Sequence, residues 1–431
     1  MAQQESDVIV VGGGMIGAAL ALGLGRAGWR VTLIDRQTPP PFMADRAPDM
    51  RVSALSAGTE ALLRRLGAWA GIEGMRLAPY RRLEVWEDLR QVPLLGDSPF
   101  NHTLFDAADL KRSHLGHIVE NSVTQRALWD ALEPLENVVC RAPAEVVSLQ
   151  ATAADVTLTL AEGDTLKARL LVGADGAQSQ IRTLAGIGTD SDTYAQQALV
   201  ARVRHAGAPR DITWQAFFPS GPRAYLPLPA DNGQAQASLV WYDAPERLDA
   251  LMALDDEAFQ NAIQDAFPDT LPPLQAVTGR ARFPLARSHA QQYVKGRVAL
   301  VGDAAHTINP LAGQGANLGF QDVSALLAQL TGATDPGAPA PLQAWARERR
   351  PANLMMMAAM DLFYYGFSND HLPLKLARNL GLGIAGRLRP ARRQVARYAM
   401  GLDSAETGAL DKLLKRLKPP TPRLPIRVPF L

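Results

Sequence analysis

Four short apolar runs stand out along the chain, and each leads into glycine or an acid. Asp7-Val8-Ile9-Val10-Val11 runs into Gly12, and Arg30-Val31-Thr32-Leu33-Ile34 runs into Asp35. Leu170-Leu171-Val172 leads to Gly173-Ala174-Asp175-Gly176, and Arg297-Val298-Ala299-Leu300-Val301 leads to Gly302-Asp303. Uninterrupted apolar runs of this length are the pattern of strands covered on both faces. A small-residue helix, Ala18–Ala27, follows the first run and is stopped by Gly28. A helical pattern from Leu318 to Leu330 follows the last. Strand, glycine turn and helix in this order predict an α/β fold.

Between these runs the periodicity changes. Residues 39–48 are proline-rich and polar and read as a loop, after which Met50–Leu55 leads into a helix through Leu66. Arg82–Glu87 and Thr103–Phe105 read as short strands, and Val123–Leu132 as a helix. Val138–Cys140, Glu145–Leu149, Asp155–Leu160 and Thr165–Leu170 read as a small antiparallel set. From 194 to 242 the chain alternates aromatic and β-branched residues with Pro/Gly turns, in Ala198–Val203, Thr213–Phe218, Arg223–Leu228 and Ala237–Trp241. That pattern predicts an antiparallel sheet, inserted as a second domain. Leu248–Phe267 reads as one helix, and the C-terminal third as helices over Ala352–Phe367, Leu374–Leu380 and Pro390–Leu402. The expected boundaries are 1–75, 110–185 and 281–345 for a discontinuous nucleotide-binding domain, with 76–109 and 186–280 forming the inserted domain. The C-terminal helices take 346–402, and 403–431 is a basic tail expected to be extended or disordered.

Composition narrows the class. The chain has 431 residues and is 47% hydrophobic, enough for two or three globular domains. A single cysteine, Cys140, excludes an internal disulfide and fits a reducing cytosol; its plain reading is a small buried residue. Net charge is +1, but residues 341–431 hold 16 basic and 6 acidic residues (+10), while the remainder holds 28 and 37 (−9). This is no nucleic-acid-binding composition. The basic C-terminal region fits either contact with an acidic membrane surface or a solvated face. The longest apolar candidates, Ala18–Leu24 and Leu354–Met360, fall short of the roughly 20 residues that span a bilayer. Glu5 and Asp7 stand where a signal peptide carries basic residues. The expected location is cytoplasmic, with the inner membrane face as a peripheral site.

The candidate chemistry lies in the turns. Gly12, Gly14 and Gly17 have the G-x-G-x-x-G spacing, with a strand before, a helix after and the acid Asp35 closing the next strand. In that context Gly12 permits the tight turn, Gly14 the approach of a pyrophosphate and Gly17 close helix–strand contact, while Asp35 suits ribose hydroxyls. The Gly302–Asn317 stretch places Asp303 just after a strand and opens a helix with Gly313-Gln314-Gly315, whose amides favour negative charge. His306 reads better as a residue fixing that loop than as an acid or base. His114, His117 and His289 show no metal-ligand pattern, and no Ser-His-Asp set is readable. No metal site is therefore expected.

Three glycine-bearing loops after three buried strands resemble the aromatic-ring flavoprotein monooxygenases of the para-hydroxybenzoate hydroxylase type. Asp49-Met50-Arg51-Val52-Ser53-Ala54-Leu55-Ser56, Pro79–Glu84, Gly302–Asn317 and Met360–Asn369 look, more narrowly, like the ubiquinone-pathway hydroxylases. The likeness covers about residues 5–402. It implies a Rossmann-like FAD-binding domain, an inserted antiparallel β-sheet substrate domain and a helical C-terminal region. It implies FAD contacts at Gly12, Gly14, Met15, Ile16, Gly17, Asp35, Arg36, Arg51, Gln125, Asp175, Gly302, Asp303, Pro310, Gly313, Gln314, Gly315, Ala316 and Asn317. Pro310 would lie beside the flavin ring, with His306 as a neighbouring pocket residue. Dioxygen and NAD(P)H would be co-substrates, and a flavin hydroperoxide would hydroxylate a polyprenyl methoxy-methyl-benzoquinol. A protein complex for ubiquinone synthesis is an implied partner. Asp35 departs from the family's usual glutamate, and the tail past Leu402 has no counterpart. Three other readings stay open: a hydroxylase for another ring position of the same pathway, a prenyl reductase sharing the FAD loops, and a flavin-loaded subunit without catalysis. On the aromatic sheet Gln215 and Phe217 share one face, and Trp214, Ala216 and Phe218 the other. The substrate would meet one of them. Met355–Met357 reads as core or as a channel for the prenyl tail.

Overall fold

The computed structural model describes residues 4–89, 102–309 and 314–367, together with the single positions 379, 397 and 400. The helices expected over 374–380 and 390–402, the tail from 403, Pro310 and Gly313 lie outside those residues, single positions apart.

The apolar runs form the centre of a parallel sheet. Gln4–Val11 is flanked by Thr165–Gly173 on one side and Val31–Ile34 on the other, both parallel to it. Val298–Leu300 extends the sheet beyond Thr165–Gly173, and Val138–Arg141 extends it beyond Val31–Ile34, again in parallel. The antiparallel set is therefore smaller than expected. Val146–Ala151 and Val156–Leu160 pair antiparallel beside Thr165–Gly173, but Val138–Arg141 belongs to the parallel sheet. It is an edge strand, half exposed, so its residues do not show the continuous apolar signature of the inner strands. Cys140 sits on this edge and is exposed, correcting the buried reading.

The helix Met15–Arg26 is buried from Gly17 to Gly25. Its small residues follow from crowding on two sides. A Cβ on Gly23 would stand 2.3 Å from Leu327 Cδ1, and one on Gly25 2.4 Å from Val138 Cγ2. Leu327 belongs to the helix Gln314–Leu330, so the helices that follow the first and last glycine turns touch across this small-residue face.

A second, eight-stranded sheet carries the aromatic pattern. Its order is His306–Thr307, Leu274–Ala290, Thr189–His205, Gln234–Asp243, Arg223–Asp231, Ile212–Phe217, Arg82–Glu87 and Thr103–Asp106. All neighbours are antiparallel except Ile212–Phe217 with Arg82–Glu87. One face buries Trp214, Ala216 and Phe218 against Leu248, Leu251, Phe259 and Ile263 of two helices, Pro245–Met252 and Asp256–Ala266. These were expected as one helix; Asp255 interrupts it, its carboxylate accepting a 2.8 Å hydrogen bond from the Ala258 amide as an N-cap.

Two expected boundaries fall inside continuous elements. Leu274–Ala290 is a single 17-residue strand running through position 281, and Pro339–Phe367 is a single 29-residue helix running through 345. A third, small sheet joins Val52–Ser56, Gly116–Glu120 and Ala78–Tyr80. Among the described residues no helix is long and apolar enough to cross a membrane.

Candidate active site

The adjacent strands Val298–Leu300, Thr165–Gly173, Gln4–Val11 and Val31–Ile34 are parallel, so their C-terminal ends deliver four turns to one edge of the sheet. In open α/β sheets that edge is where ligands bind. The turns also touch one another. Gly12 has φ +104°, and a Cβ on it would lie 2.3 Å from the Ala174 carbonyl oxygen, so the first turn rests on the second. A Cβ on Gly17 would lie 1.8 Å from the Gly12 oxygen. Gly302, with φ +59°, packs on Ile16, and a Cβ on Gly319 would meet Ile16 Cδ1 at 2.7 Å. The Ile16 side chain is thus the contact between the first and third turns. The Arg182 guanidinium donates to the carbonyl oxygens of Ala304 and Ala177, each at 2.8 Å, and ties the third turn to the second.

On its outer side the first turn is open. A Cβ on Gly14 would meet nothing within 4 Å, and Gly14 caps the helix whose N-terminal amides point to that space. A cleft of about 420 Å³ opens there, lined by Gly14, Met15, Asp49, Met50, Arg51, Asn121, Ser122 and Gln125. Four residues named from the sequence therefore share one cavity. Gln125 Nε2 and Trp129 Nε1 both donate to the Gly13 oxygen at 2.8 Å and fix the turn from behind. Asp35 accepts from the amides of Gly13, at 2.5 Å, and Gln37, at 2.9 Å. A carboxylate has further lone pairs, so it can still take ribose hydroxyls. Arg36 is exposed and pairs with Glu145 at 3.3 Å. Both oxygens of Asp175 turn back to its own chain, accepting from Ser179 Oγ at 2.5 Å and the Ile181 amide at 3.0 Å.

The third turn combines an open acid with a buried polar network. Asp303 is reached by solvent, yet protein is dense around it. That desolvation pushes its carboxyl up, and His306 and Arg51 partly offset the shift. Behind it, His306 is buried and its Nε2 lies 2.5 Å from Asp322 Oδ2, which also receives the Gly302 amide at 3.2 Å. Asp322 Oδ1 accepts from Arg349 Nε at 2.9 Å and Asn353 Nδ2 at 3.0 Å. Burial would push the Asp322 carboxyl up; His306, Arg349 and Asn353 outweigh it and hold it down at about 2. Through Asp322, His306 is tied to the helix Gln314–Leu330.

Gln314, Gly315 and Ala316 form the first turn of the helix Gln314–Leu330, so their amides can face an anion. The Asn317 side chain faces inward. Its Oδ1 accepts from the Ser56 amide at 2.9 Å and Thr59 Oγ1 at 2.8 Å, and its Nδ2 donates to the Ala54 oxygen at 2.8 Å. It locks the helix to the Arg51-bearing segment. Sequence reading missed Asp322, Arg349, Asn353 and Asn309. The first three are dispersed along two helices. Asn309 is buried and, among the described residues, neither polar atom of its amide has a partner, leaving it able to meet a ligand or water beside the third turn.

The Gln215 and Phe217 face of the second sheet looks toward the long helix. Phe217 stacks on Phe367, centroids 4.5 Å apart. Met356 is buried with Ile308 and Leu318, and Met357 and Met360 pack partly buried beside them. Glu60, His114 and His117 also come together, away from these turns. The His-x-x-His spacing at 114 and 117 was the only sequence sign of that cluster.

Comparison with known proteins places this geometry. The family model described as "FAD binding domain" matches residues 5–359. The 3-demethoxyubiquinol 3-hydroxylase of Escherichia coli is 46% identical over 93% of this chain and its own full length. Ubiquinone hydroxylase UbiL of Rhodospirillum rubrum is 38% identical over 93% of this chain and 90% of its own. The mitochondrial ubiquinone biosynthesis monooxygenase COQ6 of Danio rerio is 35% identical over 91% of this chain and 89% of its own. Among solved structures, p-nitrophenol 4-monooxygenase PnpA from Pseudomonas putida superposes with a TM-score of 0.75 over 94% of this chain and all of its own, at 20% identity, which shows the shared fold. Glycines that admit a pyrophosphate, a carboxylate for ribose and an open acid at the third turn fit FAD. The chain belongs to the FAD-binding family of flavoprotein monooxygenases, in the branch of the ubiquinone-biosynthesis hydroxylases.

Proposed function

We propose that this chain hydroxylates the ring of a polyprenyl methoxy-methyl-benzoquinol in ubiquinone biosynthesis, using dioxygen and NAD(P)H. The observation that carries the reading is full-length similarity, at 46% identity, to a hydroxylase of that pathway, on a chain whose three glycine turns meet at one sheet edge. Bound FAD supplies the redox chemistry and the activation of dioxygen. The protein's part is to bind, orient and exclude water. The amides beside Gly14 would take the pyrophosphate, with Met15 at the cleft wall, and Asp35 would take the adenosine ribose. Arg51 and Gln125 bound the cleft on its far side. Asp303 would accept from the ribityl chain, and the amides at Gln314–Ala316 would stabilise negative charge on the ring system. The third turn, Gln215 and Phe217, and the Met356-bearing helix would bound the ring pocket, and the apolar side of that helix suits a prenyl tail.

The basic C-terminal region supports contact with an acidic membrane surface, where such a substrate resides. A complex with other enzymes of the pathway belongs to the same proposal.

Mass spectrometry of quinone intermediates in a strain lacking this gene, with and without restoration, tests the reading. Accumulation of the demethoxylated methyl-methoxy quinol, cleared on restoration, is expected. Accumulation of an earlier intermediate would move the ring position, as similarity to COQ6 and UbiL allows. An unchanged quinone pool would overturn the assignment.

A further inference from the structure

Glu60, His114 and His117 form a cluster that the flavin chemistry does not use. Glu60 lies on the helix Ala57–Arg65, His117 on the strand Gly116–Glu120, and His114 in the turn that enters that strand. One ligand atom from each lies within 4.8 Å of the other two. His114 Nε2 is 2.7 Å from Glu60 Oε2, and His117 Nδ1 is 3.3 Å from the same oxygen. Glu60 and His117 are 7% and 6% exposed, and among the described residues His117 Nδ1 has no hydrogen-bond partner. An orphaned buried nitrogen facing a carboxylate is costly unless something else satisfies it.

We infer that Glu60, His114 and His117 bind a divalent transition cation of the zinc type, as a structural site separate from the flavin cleft. Two imidazoles and one carboxylate are donors that zinc accepts, and partial exposure of His114 leaves a position for water. The outer partners that orient metal ligands are also in place. Arg64 Nε donates to Glu60 Oε1 at 2.9 Å, and Ser113 Oγ lies 2.8 Å from His114 Nδ1. Trp69 meets the His117 ring edge-on, centroids 5.1 Å apart, and closes the apolar side. Arg64 is the one cation directly on the cluster among the described residues, and its charge is opposed by Glu73 at 2.7 Å as well as by Glu60.

The site would join two flanks of the cofactor cleft. The helix Ala57–Arg65 begins at Ser56, which is bonded to Asn317, and the strand Gly116–Glu120 leads straight into the helix that carries Gln125. A cation here would hold those flanks together without touching the flavin.

The test uses the full-length, FAD-loaded protein, treated with chelator, dialysed and titrated with zinc chloride. Bound metal is counted by elemental analysis, and cobalt substitution reports the ligand field. One zinc per chain is expected, with a melting temperature higher by roughly 2–4 °C at saturation. His114→Ala, at a half-buried position, should abolish both effects, and Glu60→Gln should weaken zinc affinity at least about tenfold. Wild-type protein that takes up no stoichiometric zinc overturns the inference. So does zinc held equally well by His114→Ala.

Discussion

Asp322 shows how one buried charge can set the shape of a binding loop. It collects His306, Arg349, Asn353 and the Gly302 amide, and Asn353 passes the network on to the Tyr293 hydroxyl at 3.2 Å and thence to His289 at 3.1 Å. Removing one partner of a buried ion pair leaves the other uncompensated. Asp322→Ala should therefore cost about 3–5 kcal/mol, read as a fall in the urea midpoint, and should loosen FAD through Gly302. Asp303→Ala removes an open acid and leaves no buried cation behind. It should keep wild-type stability while weakening FAD by roughly tenfold to a hundredfold, the loss of one hydrogen bond to a charged group. Fluorescence titration with FAD separates the two variants. His289 adds a pH effect. Burial, Arg350 and His306 push its imidazole down to about 4, so between the ordinary 6.5 and about 4 the unfolded chain binds the extra proton. Stability then rises with pH across that window and is lost on acidification. The urea midpoint should fall from pH 6.5 to 4, and less steeply in His289→Gln.

At the scale of elements, the glycine turns divide into packing and open positions. Gly17→Ala would drive a methyl to within 1.8 Å of a backbone oxygen, which cannot retreat as a side chain can. Gly14→Ala has free space on the protein side. Gly17→Ala should lower the melting temperature of the flavin-free protein and abolish FAD binding. Gly14→Ala should leave that melting temperature unchanged and still weaken FAD, because the methyl enters the room where a pyrophosphate approaches. Equal melting temperatures for the two would sink this division. The sequence signalled these turns well, because continuous apolar strands, small-residue helices and glycine spacing are local features. It misplaced Val138–Arg141, whose exposed edge erases the apolar run, and it split Pro339–Phe367, since domain limits depend on contacts rather than on composition. Asn317 and Asp175 were expected as site residues only through the family resemblance. The direction in which their side chains turn depends on Ser56, Thr59, Ser179 and Ile181, and no periodicity encodes that.

For the whole molecule, the long helix Pro339–Phe367 links the two sheets. Its early part supplies Trp345, Arg349 and Asn353 to the network beneath the third turn. Its late part lies on the second sheet. Asp361 accepts from the Tyr194 hydroxyl at 2.6 Å and pairs with Arg287, and Tyr364 meets Tyr194 edge-on with centroids 4.7 Å apart. Phe367 stacks on Phe217. The helix thus spans from the network beneath the third turn to the Phe217 side of the second sheet. If the prenyl tail lies along this seam, cutting back its aromatic wall should be felt by the tail and not by the ring. Phe367→Ala should raise KM for a long-chain prenyl quinol about tenfold, the scale of a few lost methylene contacts. The same variant should leave kcat/KM for a prenyl-free quinol analogue close to wild type, because the third turn and its network remain in place. Steady-state kinetics with the two substrates decides the matter. An equal loss on both would mean that the stack on Phe217 holds the sheets in register and does not bound the tail.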